Sequence, residues 1–276
     1  MNRVPALALL LAMNWHLPRL EADDPPLDAR RPIEVLDTVF TEEMTWMEVR
    51  DAIAAGKTTV IVATGGVEQN GPYLATGKHN YILRATTQAI ARRLGNALVA
   101  PIVPFVPEGD IDPPTQHMRY PGTISVSEAT FEALLLDICG SLRTNGFKNI
   151  VLLGDSGGNQ AGMKRVAEQL NDRWEVSGPR VHFIAEYYDY DEVAGWLEKE
   201  GLHQVPEGYH DDLAVTAILM TVDPNLVRMK ERGAAGKFSI NGVELAPAAK
   251  TIELGKRIVD FRASSTVRAI ERAIGP

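Results

Sequence analysis

The sequence predicts an α/β fold, a mostly parallel central sheet covered by helices on both faces, on three observations. Short β-rich runs alternate with helical periodicity, each link between successive runs is long enough to hold a helix, and two runs end in glycine-rich loops. In residues 41–56, Met44, Trp46, Met47, Val49, Ile53 and Ala54 recur at helical intervals between Thr41 and Gly56, a short helix with Glu42 and Glu43 in its first turn. Residues 59–63, Thr-Val-Ile-Val-Ala, read as a buried strand stopped by Gly65 and Gly66. Helical spacing over 81–94, closed by Gly95, leads to a second strand over 97–103 bounded by prolines, which completes a βαβ unit. The proline-rich stretch 104–122 is too rigid and too polar for regular elements, and long ordered loops of this kind tend to carry function.

Ser127 opens an amphipathic helix that Gly146 closes, and residues 149–153, Asn-Ile-Val-Leu-Leu, form a third strand running into Gly154-Asp-Ser-Gly-Gly158. A helix over 160–174, a strand over 181–185, helices over 192–200 and 213–221, and a C-terminal stretch, 248–274, helical almost throughout complete the order. One α/β domain over 35–276 accounts for all of it, with no internal repeat.

A chain of 276 residues, 45% hydrophobic and 23% charged, has the composition of a globular protein and can bury a core without staples. Its one cysteine, Cys139, excludes an intrachain disulfide and a cysteine-based metal site. The net charge of −8 and the absence of a Lys/Arg run argue against nucleic-acid binding, which needs clustered positive charge. Residues 1–34 read as a leader and linker. The apolar run from Val4 to Met13 is too short to span a bilayer but suits a secretion signal, followed by an acidic, proline-rich segment. A cleaved signal would place the protein in the periplasm or outside the cell, and a plain N-terminal extension would leave it cytoplasmic.

In a parallel sheet, ligands bind outside the carboxyl ends of the strands, which points to loops 65–80 and 154–159. The first holds Glu68, Gln69, Asn70, Lys78 and His79, and the second holds Asp155, Ser156 and Asn159. Oxygen and imidazole groups of this kind can hold a divalent ion, although the same residue types favour turns and their spacing matches no standard zinc pattern.

The string from Thr64 to His79, Thr-Gly-Gly-Val-Glu-Gln-Asn-Gly-Pro-Tyr-Leu-Ala-Thr-Gly-Lys-His, resembles the signature loop of the creatininase (creatinine amidohydrolase) family. There a glutamate, a histidine two positions on and an acidic residue at the loop's end bind metal. His117-Met-Arg-Tyr-Pro-Gly-Thr123 is similar to the family's His-Phe-Pro-Gly-Thr segment, and Gly154-Asp-Ser-Gly-Gly-Asn159 to its Asn-Gly-His-Gly-Gly-Asn loop. Tyr209-His-Asp-Asp212 with Thr216 resembles the family's late histidine segment. The resemblance implies a three-layer sandwich, a divalent metal (Zn or Mn), hydrolysis of a small linear or cyclic amide, and a homo-oligomer. Departures accompany the matches. Asn70 and Ser156 stand where the family has ligand histidines, His79 where a bridging aspartate is common, Tyr73 where a histidine is found, and Val215 where an acidic residue is usual.

On this resemblance, Glu68 and His79 hold one metal and His210 moves a proton, with Asp155 or Asp211 orienting the water or completing the coordination sphere. Asn70, Tyr73, His117, Ser156, Gly157, Gly158 and Tyr188 would shape the substrate pocket. Plainer roles stay open for each: Glu68 as a loop cap, His79 bonded to backbone, His210 at a helix start, and the two glycines serving a sharp turn. Two other readings remain. Ser156 at a strand-to-helix turn could be the nucleophile of a metal-free hydrolase with His210 as its base, or the pocket could bind a ligand or partner without turning it over. The match of Gly154-Asp-Ser-Gly-Gly158 to the nucleophile string of chymotrypsin-like proteases is discounted, because those enzymes are all-β.

Overall fold

Four parallel strands form the central sheet of the computed structural model, which describes residues 24–206 and 210–275. They are β1 (Thr59–Thr64), β2 (Ala97–Val99), β3 (Asn149–Gly154) and β4 (Arg180–Phe183), in the spatial order β2-β1-β3-β4. Thr59 of β1 pairs with Ala97 on one side and Asn149 on the other, and Asn149 pairs with Arg180. The strands are near-continuous apolar runs because both faces are covered. Val60, Val62, Ile150 and Leu152 enter one core layer, while Ile61, Ala63, Val151 and Leu153 enter the other.

The first layer is closed by α1 (Trp46–Ala54), α3 (Glu128–Thr144) and α4 (Gln160–Arg173), through Val49, Phe131, Leu135, Met163 and Val166. The second is closed by α2 (Lys78–Leu94) and α8 (Ala248–Ile274), through Leu83, Ile90, Ala263 and Ile270. Each fully buried side chain of this kind contributes roughly 1.5–3 kcal/mol. A third cluster joins α5 (Tyr190–Lys199) and α6 (Leu213–Val222) to α2 and α8, and it includes Val215. The result is the expected helix–sheet–helix sandwich.

Three boundaries depart from the sequence expectation by three residues or more, each for a local reason. Residues Thr41–Glu43 form a separate 3₁₀ turn, and α1 starts at Trp46 because Thr45 and Glu48 make a reciprocal capping box. Strand β2 ends at Val99 because Pro101 offers no N–H to a ladder, and pairing with β1 resumes at Val103, whose N–H reaches Ala63 O at 2.9 Å. Helix α2 starts at Lys78, three residues before the apolar spacing begins, so Lys78 and His79 are buried polar residues of its first turn. The sequence expectation also lacks α7 (Met229–Ala234) and the hairpin of β5 (Ser239–Ile240) and β6 (Val243–Glu244). Asn241 and Gly242 make that turn with φ of 51° and 76°, the signs a type I′ turn requires.

Residues 35–276 form one compact unit. The leader expected over the N-terminal residues lies, up to residue 23, outside the described residues. No helix among the described residues is long and apolar enough to cross a membrane.

Helices α6 and α8 touch backbone to backbone at Gly255, where an added Cβ would lie 2.0 Å from Ala217 O. Alanine's helix propensity favours Gly255→Ala by about 1 kcal/mol. Overpacking typically costs about 1–3 kcal/mol, and here the obstacle is backbone that cannot rotate away. Gly255→Ala is therefore expected to lower the midpoint of chemical unfolding, and an unchanged or raised midpoint would show that the two helices are not held this closely.

Candidate metal and amide-hydrolysis site

The loops after β1 and β3 meet the proline-rich loop and the segment before α6 at the carboxyl end of the sheet. They enclose a cavity of about 420 Å³ whose walls include Glu68, Glu108, His117, Ser156, Tyr188 and His210. Parallel strands bring their carboxyl ends to one edge, which is why residues from distant stretches of chain converge there.

Glu68 is the centre of the site, 2% exposed. Its Oε1 accepts from His79 Nε2 at 2.8 Å and His210 Nε2 at 3.0 Å, and lies 3.2 Å from Lys78 Nζ. His117 Nε2 is 3.2 Å from the other oxygen, Oε2. Burial alone would raise the pKa of this carboxyl, but the bonds from His210 and His79 and the charge of Lys78 outweigh it and hold the group well below the usual carboxylate range. Glu68 is a fixed anion. For His117 burial leads, with the charges of His210 and Lys78 adding to it, and its pKa falls, which favours the neutral imidazole that a metal requires.

The donor atoms of Glu68, His117 and His210 all lie within 4.8 Å of one another. One carboxylate and two imidazoles on a cavity wall are a donor set suited to a divalent ion, and three protein ligands leave a coordination position open.

His79, expected as a ligand, has both ring nitrogens engaged within the protein. Nδ1 bonds Asp155 Oδ2 at 2.9 Å while Nε2 bonds Glu68. Burial would lower its pKa, but the two carboxylates reverse the effect and raise it. Asp155, fully buried, lies behind His79 and takes no part in the cavity wall. Asp211 is paired with Arg232, also away from the cavity.

Of the residues expected to shape the pocket, His117, Ser156, Gly157, Gly158 and Tyr188 line the cavity, and Asn70 and Tyr73 do not. Asn70 donates its amide to Glu68 O and Ala75 O at 2.9 and 3.0 Å, bracing the loop that carries Glu68. Tyr73 lies beneath the guanidinium of Arg232 at 4.8 Å. Gly158 has no room for a side chain, since a Cβ would meet Pro107 O at 2.2 Å, so its small size serves loop packing. Ser156 has ordinary extended backbone, φ −118° and ψ 147°, without the strain of a nucleophile elbow. Its hydroxyl interacts with the Glu108 carboxyl.

Two residues of the site, Glu108 and Arg262, are absent from the sequence expectation. Glu108 is 3% exposed, with Oε1 lacking a hydrogen-bond partner. Its signal was a carboxyl between Pro107 and Gly109 in the loop already marked as functional. Arg262 occupies the buried stripe Ile258, Arg262, Thr266, Ile270 of α8, and a charge on an apolar stripe was the clue to it.

Burial, reinforced by the charge of Glu68, pushes Glu108 up from 4.5 to about 8. The folded metal-free protein thus holds a proton that the unfolded chain releases. The associated stability is fully present below about pH 4.5 and is lost as pH rises through about 8. In metal-free protein, Glu108→Gln should therefore raise Tm relative to the wild type by a margin that grows between pH 5 and 8, and a pH-independent margin would refute the shift.

The creatininase family model, described as creatinine amidohydrolase, matches residues 42–270. The creatinine amidohydrolase of Pseudomonas putida is 28% identical over 116 residues, 42% of this chain and 44% of that protein's length. The mycofactocin precursor peptide peptidase of Mycolicibacterium smegmatis is 26% identical over 205 residues, 72% of this chain and 78% of that protein. A mutant creatininase of Zn–Zn type and a creatininase with Mn share the fold at TM-scores of 0.65 and 0.62, with 20% and 21% identity, each covering 87% of this chain and 100% of the other. A family match spanning residues 42–270, on a sheet with the same layered architecture, shows that the chain belongs to the creatininase family.

Proposed function

We propose that this protein is a metal-dependent hydrolase of a small linear or cyclic amide, with one divalent ion, Zn or Mn, held by Glu68, His117 and His210. The observation that carries the reading is the convergence of those three donor groups on one cavity at the carboxyl edge of a creatininase-family sheet. Relatives that act on creatinine and on a precursor peptide supply the reaction class, cleavage of a C–N bond. A divalent ion in such a site supplies Lewis acidity, polarising the carbonyl and making water a stronger nucleophile.

The remaining chemistry falls to the side chains. Glu108, with one carboxyl oxygen free of partners, is placed to give the proton it holds to the departing nitrogen and to recover one from water afterwards. The half-exposed Tyr188 hydroxyl and the Ser156 hydroxyl offer hydrogen bonds to the substrate's polar atoms. Pro107, Gly157 and Gly158 form the wall on that side. In this assignment His210 serves the ion and Glu108 the proton, while His79 supports Glu68. Ordinary extended backbone at Ser156 weighs against a serine nucleophile.

Elemental analysis of the purified protein, combined with assays on creatinine and on small linear and cyclic amides, tests the reading. One Zn or Mn per chain is expected. Glu68→Ala and His117→Ala should each remove the metal and lower turnover by at least about a hundredfold, about 2.7 kcal/mol of transition-state stabilisation. Ser156→Ala should keep the metal and lose less than about tenfold. Full activity in chelator-treated protein together with loss in Ser156→Ala would replace this reading with the serine mechanism. Absence of both metal and turnover would leave a ligand-binding module.

A further inference from the structure

A line of charged side chains runs from the core to the floor of the cavity through four segments of the fold. Arg262 of α8 donates from one guanidinium nitrogen to Asp155 Oδ1 at 2.9 Å and to Tyr187 O at 3.0 Å, and from the other to Tyr190 OH at 3.3 Å. Tyr187 and Tyr190 flank the guanidinium, with ring centroids 4.4 and 4.7 Å away. Asp155, in the loop after β3, also accepts from Tyr190 OH at 2.9 Å, and its second oxygen bonds His79 Nδ1. His79, in the first turn of α2, then donates from Nε2 to Glu68. All four side chains are at least nine-tenths buried.

A buried ionic chain of this length is poor value for stability alone, since apolar residues of the same volume generally hold a core as well or better. What distinguishes it is its end point, a carboxylate within reach of the three histidines of the cavity wall, His79, His117 and His210. Each ring nitrogen of His79 meets a carboxylate oxygen, Asp155 on one side and Glu68 on the other, so the ring joins the two. We infer that Arg262, Asp155 and His79 are positioning residues that hold the Glu68 carboxylate in place for cation binding, His79 acting through Glu68. The inference rests on the metal reading above.

Cobalt(II) titration of the full-length metal-free protein, followed by its visible absorption and by competition with a chromophoric chelator, tests it. Asp155→Asn and Arg262→Lys should each keep one site per chain, weaken Kd by about ten- to a hundredfold and shift the visible band. The double variant should be no weaker than the worse single variant within about twofold, because both act along one line. His79→Gln, which retains one donor for Glu68, should also keep one site. Gly255→Ala, a destabilising change on the same helix, should leave Kd and spectrum unmoved, which separates positioning from stability.

Wild-type Kd and spectrum in both Asp155→Asn and Arg262→Lys would overturn the inference, as would loss of the site in His79→Gln. If cobalt binds and His117→Ala abolishes it while both support variants bind normally, the metal reading survives and only the support fails. Wild-type protein that takes up no cobalt ends both.

Discussion

The anionic state of Glu68 is the constraint around which the site is organised. A carboxylate removed from water this completely is tolerable only with donors or cations on its lone pairs. Three converge on one of its oxygens, from Lys78, His79 and His210, and His117 faces the other. Each of these donors has a position fixed elsewhere: Lys78 and His79 by the first turn of α2, His117 by the proline-rich loop, and His210 by the segment before α6. The geometry of the cavity floor is therefore the sum of three independent chain placements around Glu68.

Two carboxyl groups with opposite behaviour share the cavity. Glu68 is surrounded by hydrogen-bond donors and the charge of Lys78 and stays ionised, whereas Glu108, buried beside that anion, keeps its proton to about pH 8. Paired carboxyls pushed apart in this way divide the labour of a hydrolytic site between a permanent charge and a mobile proton. The bridge between Val67 and Ile124, and the close approach of Glu108 to Gly66, where a Cβ would lie 2.2 Å from Glu108 Oε1, bring the two loops close enough for this to happen.

Much of the fold was legible because hydrophobic period is a local property. The run Thr59–Thr64 and the stripe on α8 announce a strand and a helix without reference to the rest of the chain. The start of α2 was not legible, because Lys78, His79 and Asn80 break the apolar rhythm, and two of them are buried for the sake of the site rather than the core. The site was half legible. Glu68, His117 and His210 lie in the stretches that carry the family's motifs, yet their roles depend on contacts such as Glu68 to His210, across 142 positions.

The sequence alone determined the order of the main strands and helices, the parallel class of the sheet and the two loops that stand at its carboxyl edge, which follow from local spacing and from the rule that such edges bind ligands, while the family came from the resemblance of its motifs. Tertiary structure alone decided which groups share Glu68, that His79 is saturated by two carboxylates, that Asn70 braces its own loop, and that Glu108 and Arg262 belong to the site. Those outcomes turn on a few ångströms between side chains carried by different helices and loops, and only the packing of the layers sets such distances.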